Sequence, residues 1–175
     1  MRVKPKYIFL DFDGVVTSQL ETPGSYITHE ANEYGPSPTC VVRLKRLCDE
    51  TGAKVVISSN WRRFDDFGQC SFWTHAKNNR TVANPLPYFK KLMGKYVIGS
   101  LPKCRHITKS QALILWFEEN NLTQDQIDYV IFDDDLAENY HLTYDYDIKH
   151  HFVLTDAMTG LTDADIIKAK KILGF

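Results

Sequence analysis

"YIFLDFDGVVTSQ", residues 7–19, runs an apolar stretch straight into two aspartates and a glycine. Residues 7–11 read as a buried strand, because a continuous apolar run of this length suits the middle of a parallel sheet. Such a strand ordinarily avoids carboxylates, since burying an unpaired charge is costly. Asp11 and Asp13 at its C-terminal end, with Gly14 directly behind, therefore call for a purpose other than packing.

The same grammar recurs along the chain. "AKVVIS", 53–58, reads as a second buried strand, ending in Ser58 and Ser59. "KYVIGS", 95–100, is a third. "YVIFDDD", 129–135, is a fourth, which again ends in acids, and "HFVLT", 151–155, is a fifth. Helical patterns fall between them. At about 40–51, Val41, Leu44, Leu47 and Cys48 share one face and Gly52 supplies the stop. Thr108 with Gln111 forms a capping box for a helix to about 120, and Thr162 with Asp165 repeats that logic for 162–173. Residues 17–37, rich in turn formers, read as a flap or extended loop. Residues 61–95 lack a clean period; helical pieces are expected near 62–67 and 86–93. Strands alternating with helices predict an α/β, three-layer α/β/α sandwich around a central parallel sheet. No linker divides the chain, so residues 1–175 are expected to form one domain.

Composition narrows the function classes. A chain of 175 residues with 43% apolar and 25% charged residues has globular make-up and enough length for a full core. A net charge of −1, with no block of like charge, argues against a broad basic nucleic-acid platform while leaving room for a local basic patch. The apolar runs are too short to span a membrane. "MRVKPKYIFL" lacks the long apolar region and cleavage site of a signal peptide, so a cytoplasmic location is the default expectation. Cys40, Cys48, Cys70 and Cys104 form no C-x-x-C pair and read as reduced thiols without zinc.

In parallel sheets of this kind ligands bind beyond the carboxyl ends of the strands. Asp11 and Asp13, then Ser58 and Ser59, then Asp133, Asp134 and Asp135 all fall at that edge, with Lys109 in the first turn of the helix before the fourth strand. Converging carboxylates repel one another, and burial raises their pKa values. A hard divalent cation such as Mg²⁺ resolves that conflict with oxygen ligands. Lysine and serine then complete a pocket for a phosphoryl group, whose oxygens need neutralising during transfer. Gly14 would let backbone N–H groups approach an anion closely.

"FLDFDGVV", "VVISSN", "TKSQA" and "VIFDDD" resemble, in order, the four motifs of the haloacid dehalogenase-like (HAD) phosphohydrolase superfamily. The chain is most similar to small capless members, of the type found as the HAD domain of Swiss army knife RNA-repair proteins. "VVISSNWRR" and "FVLTDAMTGLTDADIIKAKKIL" carry that closer likeness. The resemblance implies a HAD-like Rossmannoid fold, capless or with a minimal cap. It implies Asp11 as nucleophile giving an aspartyl-phosphate, and Asp13 as general acid/base; aspartate at the second position favours a phosphatase over an ATPase. Ser58 would hold the phosphoryl oxygens, with Ser59 as the alternative if the strand ends one residue later. Lys109 would pair with Asp11 and the phosphate, with Lys103 and Arg105 as competitors. Mg²⁺ would be held by an Asp11 side-chain oxygen, the Asp13 carbonyl and Asp134, with Asp133 orienting a water. Gly14, Ser59, Asn60 and Arg62 are expected on the substrate side, Arg62 either on a phosphate or base or simply solvated.

The implied substrate is a phosphorylated small molecule, a nucleotide or a nucleic-acid end, met in an open pocket and without a membrane. A receiver module shares an acidic cluster, a hydroxyl and a lysine, but orders them differently along the chain. A HAD-like scaffold without turnover, acting as a binding module, is the other alternative; four intact motifs argue against it. Trp61, Trp73 and Trp116 read as core or groove aromatics, and His150 and His151 lack an evident partner. His106 lies near the expected pocket.

Overall fold

The computed structural model describes residues 3–18, 20, 35–64, 72–75, 80–83, 86–103, 107–135 and 148–175. In chain order its elements are β1 (Lys6–Leu10), α1 (Pro38–Thr51), β2 (Lys54–Ile57), β3 (Phe72–His75), β4 (Arg80–Ala83), α2 (Leu86–Met93), β5 (Val97–Ser100), α3 (Lys109–Glu119), β6 (Asp128–Asp133), β7 (Phe152–Leu154) and α4 (Asp163–Ile172). Five strands make one sheet in the order β5-β2-β1-β6-β7, and every pairing in it is parallel. This is the expected α/β architecture.

Alternation along each strand sends side chains to opposite faces, and the two faces carry different helices. Ile8 and Leu10, Val55 and Ile57, and Val130 and Phe132 join α1, α2 and α4 in one apolar cluster. Phe9, Val56, Tyr129 and Ile131 join α3 in the other. Phe9 meets Trp116 edge-on with ring centroids 5.0 Å apart, and Tyr129 at 5.8 Å. Trp116 is thus the packing residue its place in an apolar helix suggested. Each fully buried side chain of this size contributes roughly 1.5–3 kcal/mol.

The helix boundaries follow from local chemistry. The Ser37 hydroxyl accepts from the Cys40 N–H and Pro38 opens α1, so the helix starts two residues before the apolar pattern indicated. Gly52, left-handed at φ 74°, closes it. The capping boxes Thr108–Gln111 and Thr162–Asp165 both form as read from the sequence. Other boundaries move. The expected strands at 95–100, 129–135 and 151–155 shorten to β5, β6 and β7, and Gly94–Tyr96 is a 3₁₀ turn. Between β2 and α2 the reading missed an antiparallel hairpin, β3 with β4, registered from Phe72↔Ala83 to His75↔Arg80. The expected helical piece near 62–67 is a 3₁₀ turn at Asn60–Phe64 as far as the described residues go. An antiparallel pair needs only short-range pairing, and its alternation is too brief to stand out in a mixed segment. Most of the expected flap at 17–37 lies outside the described residues, as do Cys70, Cys104, Arg105 and His106. Cys40 and Cys48 are buried thiols; burial, with Asp49 beside it, pushes Cys48 up to about 12, so it stays protonated and inert.

Register positions the site. Leu10 stands opposite Ile57 on one side and Phe132 on the other. The next residue of each strand therefore emerges level with its neighbours: Asp11, Ser58 and Asp133. The ladder continues one step past the strands, with Asp11 N–H donating to the Phe132 carbonyl at 2.9 Å and Ser58 N–H to the Leu10 carbonyl at 2.8 Å. The chain order reverses at β1, so this edge is also the topological switch point.

Candidate active site

Lys109 reaches the sheet edge from the first turn of α3. Its ammonium lies 3.1 Å from Asp11 Oδ2 and 2.5 Å from Asp133 Oδ2. All three side chains are more than nine-tenths buried. Burial alone would lower the lysine's pKa, but the Asp11 and Asp133 charges outweigh it and hold the ammonium protonated. Asp133 is raised to about 7, by burial first and by the Asp11 charge second, against the pull of Lys109. Asp134 is raised too, for the same two reasons. Among the described residues Lys109 lies on both carboxylates, while Arg105, one of its two competitors, falls outside them.

Asp11, Asp133 and Asp134 each offer an oxygen, and the three oxygens lie within 4.8 Å of one another. Lys109 brings one positive charge to these three carboxylates, so the group carries excess negative charge in a largely buried setting. An all-oxygen set of this charge suits a hard divalent cation. The side chain of Asp13 is elsewhere: its Oδ2 accepts from the Trp61 indole N–H at 2.8 Å.

Gly14 is required for a reason the sequence did not disclose. Its φ is +66°, and a Cβ there would stand 2.3 Å from Asp134 Oδ2. The Asp134 carboxylate occupies the space that any other residue would fill. The Gly14 N–H donates to the Thr17 hydroxyl at 3.2 Å inside a tight turn closed on the Phe12 carbonyl. The Gly14 carbonyl accepts from the Thr155 hydroxyl at 2.8 Å.

The two serines divide their roles. Ser59 Oγ accepts from the Trp61 N–H at 3.3 Å and so caps the 3₁₀ turn. Ser58 Oγ is buried with no hydrogen-bond partner among the described residues. A buried hydroxyl left unbonded costs about 1–3 kcal/mol, which points to a bound group as its partner. The solvated alternative for Arg62 is corrected: the residue is 1% exposed. Its Nη1 donates to the carbonyls of Ser58 at 2.5 Å and Ser59 at 2.8 Å. The β2 ladder stops there, and one guanidinium nitrogen satisfies two carbonyls that strand pairing no longer reaches. Asn60 opens the same turn and is exposed.

Two contributors escaped sequence reasoning. Trp61 was taken as packing, although a buried indole N–H needs an acceptor and an aspartate-rich edge supplies one. Thr155 carried no local signal, because its partner is a backbone carbonyl 141 positions away. His151 does find a partner, stacking on Tyr129 at 3.9 Å on the α3 side of the sheet. Among the described residues no helix is long and apolar enough to cross a membrane.

Comparison with known proteins agrees with this edge. No curated protein and no solved structure matches the chain. A family model described as the HAD domain in Swiss Army Knife RNA repair proteins matches residues 7–166, a span that takes in β1 with its paired aspartates, the serines after β2, Lys109 and the acids after β6. With the match covering all but the ends of the chain, the protein belongs to this HAD domain family.

Proposed function

We propose that the protein is a Mg²⁺-dependent phosphomonoester hydrolase that forms an aspartyl-phosphate on Asp11. The observation that carries the reading is the Lys109 ammonium bridging Asp11 and Asp133 within a three-carboxylate group. The unbonded Ser58 hydroxyl beside it supports the same reading. Asp11, at the strand end, is the carboxylate placed to attack. Its oxygen forms a bond to phosphorus as the ester P–O bond breaks, and the leaving oxygen takes a proton from the Asp13 carboxyl. Asp13, now ionised, removes a proton from water; the hydroxide attacks phosphorus, and inorganic phosphate leaves as the Asp11 carboxylate returns. Ser58 donates to a phosphoryl oxygen, and Lys109 neutralises charge on Asp11 and the transferring group. Asp11, Asp133 and Asp134, with the Asp13 carbonyl, would hold the cation. When bound, Mg²⁺ supplies charge neutralisation at the phosphoryl oxygens.

The family's occurrence in RNA-repair proteins favours a nucleic-acid or nucleotide end phosphate as substrate. The test is release of inorganic phosphate from nucleotides, sugar phosphates and 5′- or 3′-phosphorylated oligonucleotides, with Mg²⁺ and with EDTA. Wild-type turnover that EDTA and Asp11→Asn each abolish is the expected result. Equal phosphate release by Asp11→Asn overturns the mechanism, and oligonucleotides turned over no better than small esters overturn the substrate class.

A further inference from the structure

We propose that Trp61 is a positioning residue for the acid/base: its indole N–H holds the Asp13 carboxylate apart from the cation-binding group and fixes which oxygen faces the leaving group. The inference rests on the phosphohydrolase reading above. Asp13 lies two residues from Asp11 on the same tight turn. A carboxylate so close to a divalent cation is attracted to it as a further ligand, and a ligated carboxylate is a poor proton donor. The clustered oxygens nevertheless belong to Asp11, Asp133 and Asp134. Asp13 Oδ2 is tied at 2.8 Å to Trp61 Nε1, a contact that joins the turn after β1 to the turn after β2.

The anchor is itself rigid. Trp61 is 8% exposed and packs in the apolar cluster with Phe12, Leu86 and Phe89. Its backbone N–H is fixed by Ser59 Oγ, and the next residue, Arg62, pins the carbonyls of Ser58 and Ser59. An indole N–H donates and never accepts. Oδ2 is therefore the accepting oxygen, and the tether fixes how the carboxyl is presented to the leaving oxygen, which takes its proton as the P–O bond breaks; a water proton restores it in the second step.

Trp61→Phe keeps most of the ring volume and removes the N–H. The reading is kcat/KM on an alkyl phosphate, glycerol 2-phosphate, whose leaving group needs a proton, against p-nitrophenyl phosphate, whose leaving group needs little help. The expected result is a loss of about tenfold or more on the alkyl ester, a far smaller loss on the nitrophenyl ester, and no additional loss in an Asp13→Asn background. Should Trp61→Phe fail to fold, site-specific benzothienylalanine at position 61, with sulfur in place of N–H, makes the same comparison at unchanged shape. Equal losses on both esters, no loss on either, or a further loss in the Asp13→Asn background overturn the tether while leaving the phosphohydrolase intact. Wild-type protein that releases no phosphate from these esters or from 5′- and 3′-phosphorylated oligonucleotides overturns the reaction itself and the tether with it; where only oligonucleotides are turned over, a Trp61→Phe loss that persists in the Asp13→Asn background overturns the tether.

Discussion

A methyl group on Gly14 has nowhere to go: Asp134 Oδ2 is 2.3 Å from the position it would take, and the backbone is left-handed there. Gly14→Ala is expected to lose stability by about 1–3 kcal/mol, the scale of a non-glycine residue in this conformation. It also displaces Asp134, the cation ligand of the proposed function, so Mg²⁺ should be required at roughly 10–100-fold higher concentration, read from the Mg²⁺ dependence of phosphate release. Lys109 makes the complementary case. Lys109→Met leaves the Asp11 and Asp133 carboxylates buried without their ammonium, which costs about 3–5 kcal/mol when a buried pair is broken. Urea unfolding should show that loss in EDTA and a partial recovery in Mg²⁺, because the cation offsets the same carboxylates.

At the scale of elements, the segment between β7 and α4 acts as a brace for the turn that carries Asp11 and Asp13. Thr155 donates to the Gly14 carbonyl, the Leu161 N–H donates to the Val15 carbonyl at 2.8 Å, and the Leu20 N–H returns to Met158 at 3.1 Å. Gly160, at φ +62°, lets the two segments touch: a Cβ there would lie 2.8 Å from Cys40 Sγ and from the Val15 carbonyl oxygen. Thr155→Val removes one neutral hydrogen bond and is expected to cost about 1 kcal/mol by urea unfolding. Its effect on kcat/KM should exceed that cost, since the freed carbonyl belongs to the residue packed against Asp134. Loss of stability with unchanged turnover would show the brace to be structural alone.

At the scale of the whole molecule, the site draws on β1, β2, α3 and β6, and its buried carboxylates link their stability to pH. Folding raises the Asp133 pKa to about 7, so the folded chain binds that proton more tightly than the unfolded chain does. Its contribution to stability is complete below the ordinary carboxylate range, near pH 4, and is lost as pH rises through about 7. Under the proposed function Mg²⁺ would bind the ionised form and restore what ionisation removes. The increase in Tm caused by Mg²⁺ should therefore be small near pH 5 and grow through pH 7, and Asp134→Asn should flatten it. A Mg²⁺-induced shift independent of pH would refute the linkage.

The sequence by itself determined the five strands of the parallel sheet, the order of the acidic, hydroxyl and basic residues, and two capping boxes, because these depend on local periodicity and on hydrogen bonds within a few residues. Thr108 with Gln111 and Thr162 with Asp165 were legible for that reason. It left Ser58 and Ser59 interchangeable, left Arg62 open between solvent and a ligand, placed Trp61 in core or groove without its polar partner, and missed the β3–β4 hairpin. Tertiary structure decided those points. Which serine keeps an unbonded hydroxyl, which carbonyls Arg62 serves and which acid Trp61 holds all depend on contacts between turns set side by side by strand register. The space closed by Asp134 against Gly14 is likewise a distance between segments 120 positions apart, fixed only when β1 and β6 pair.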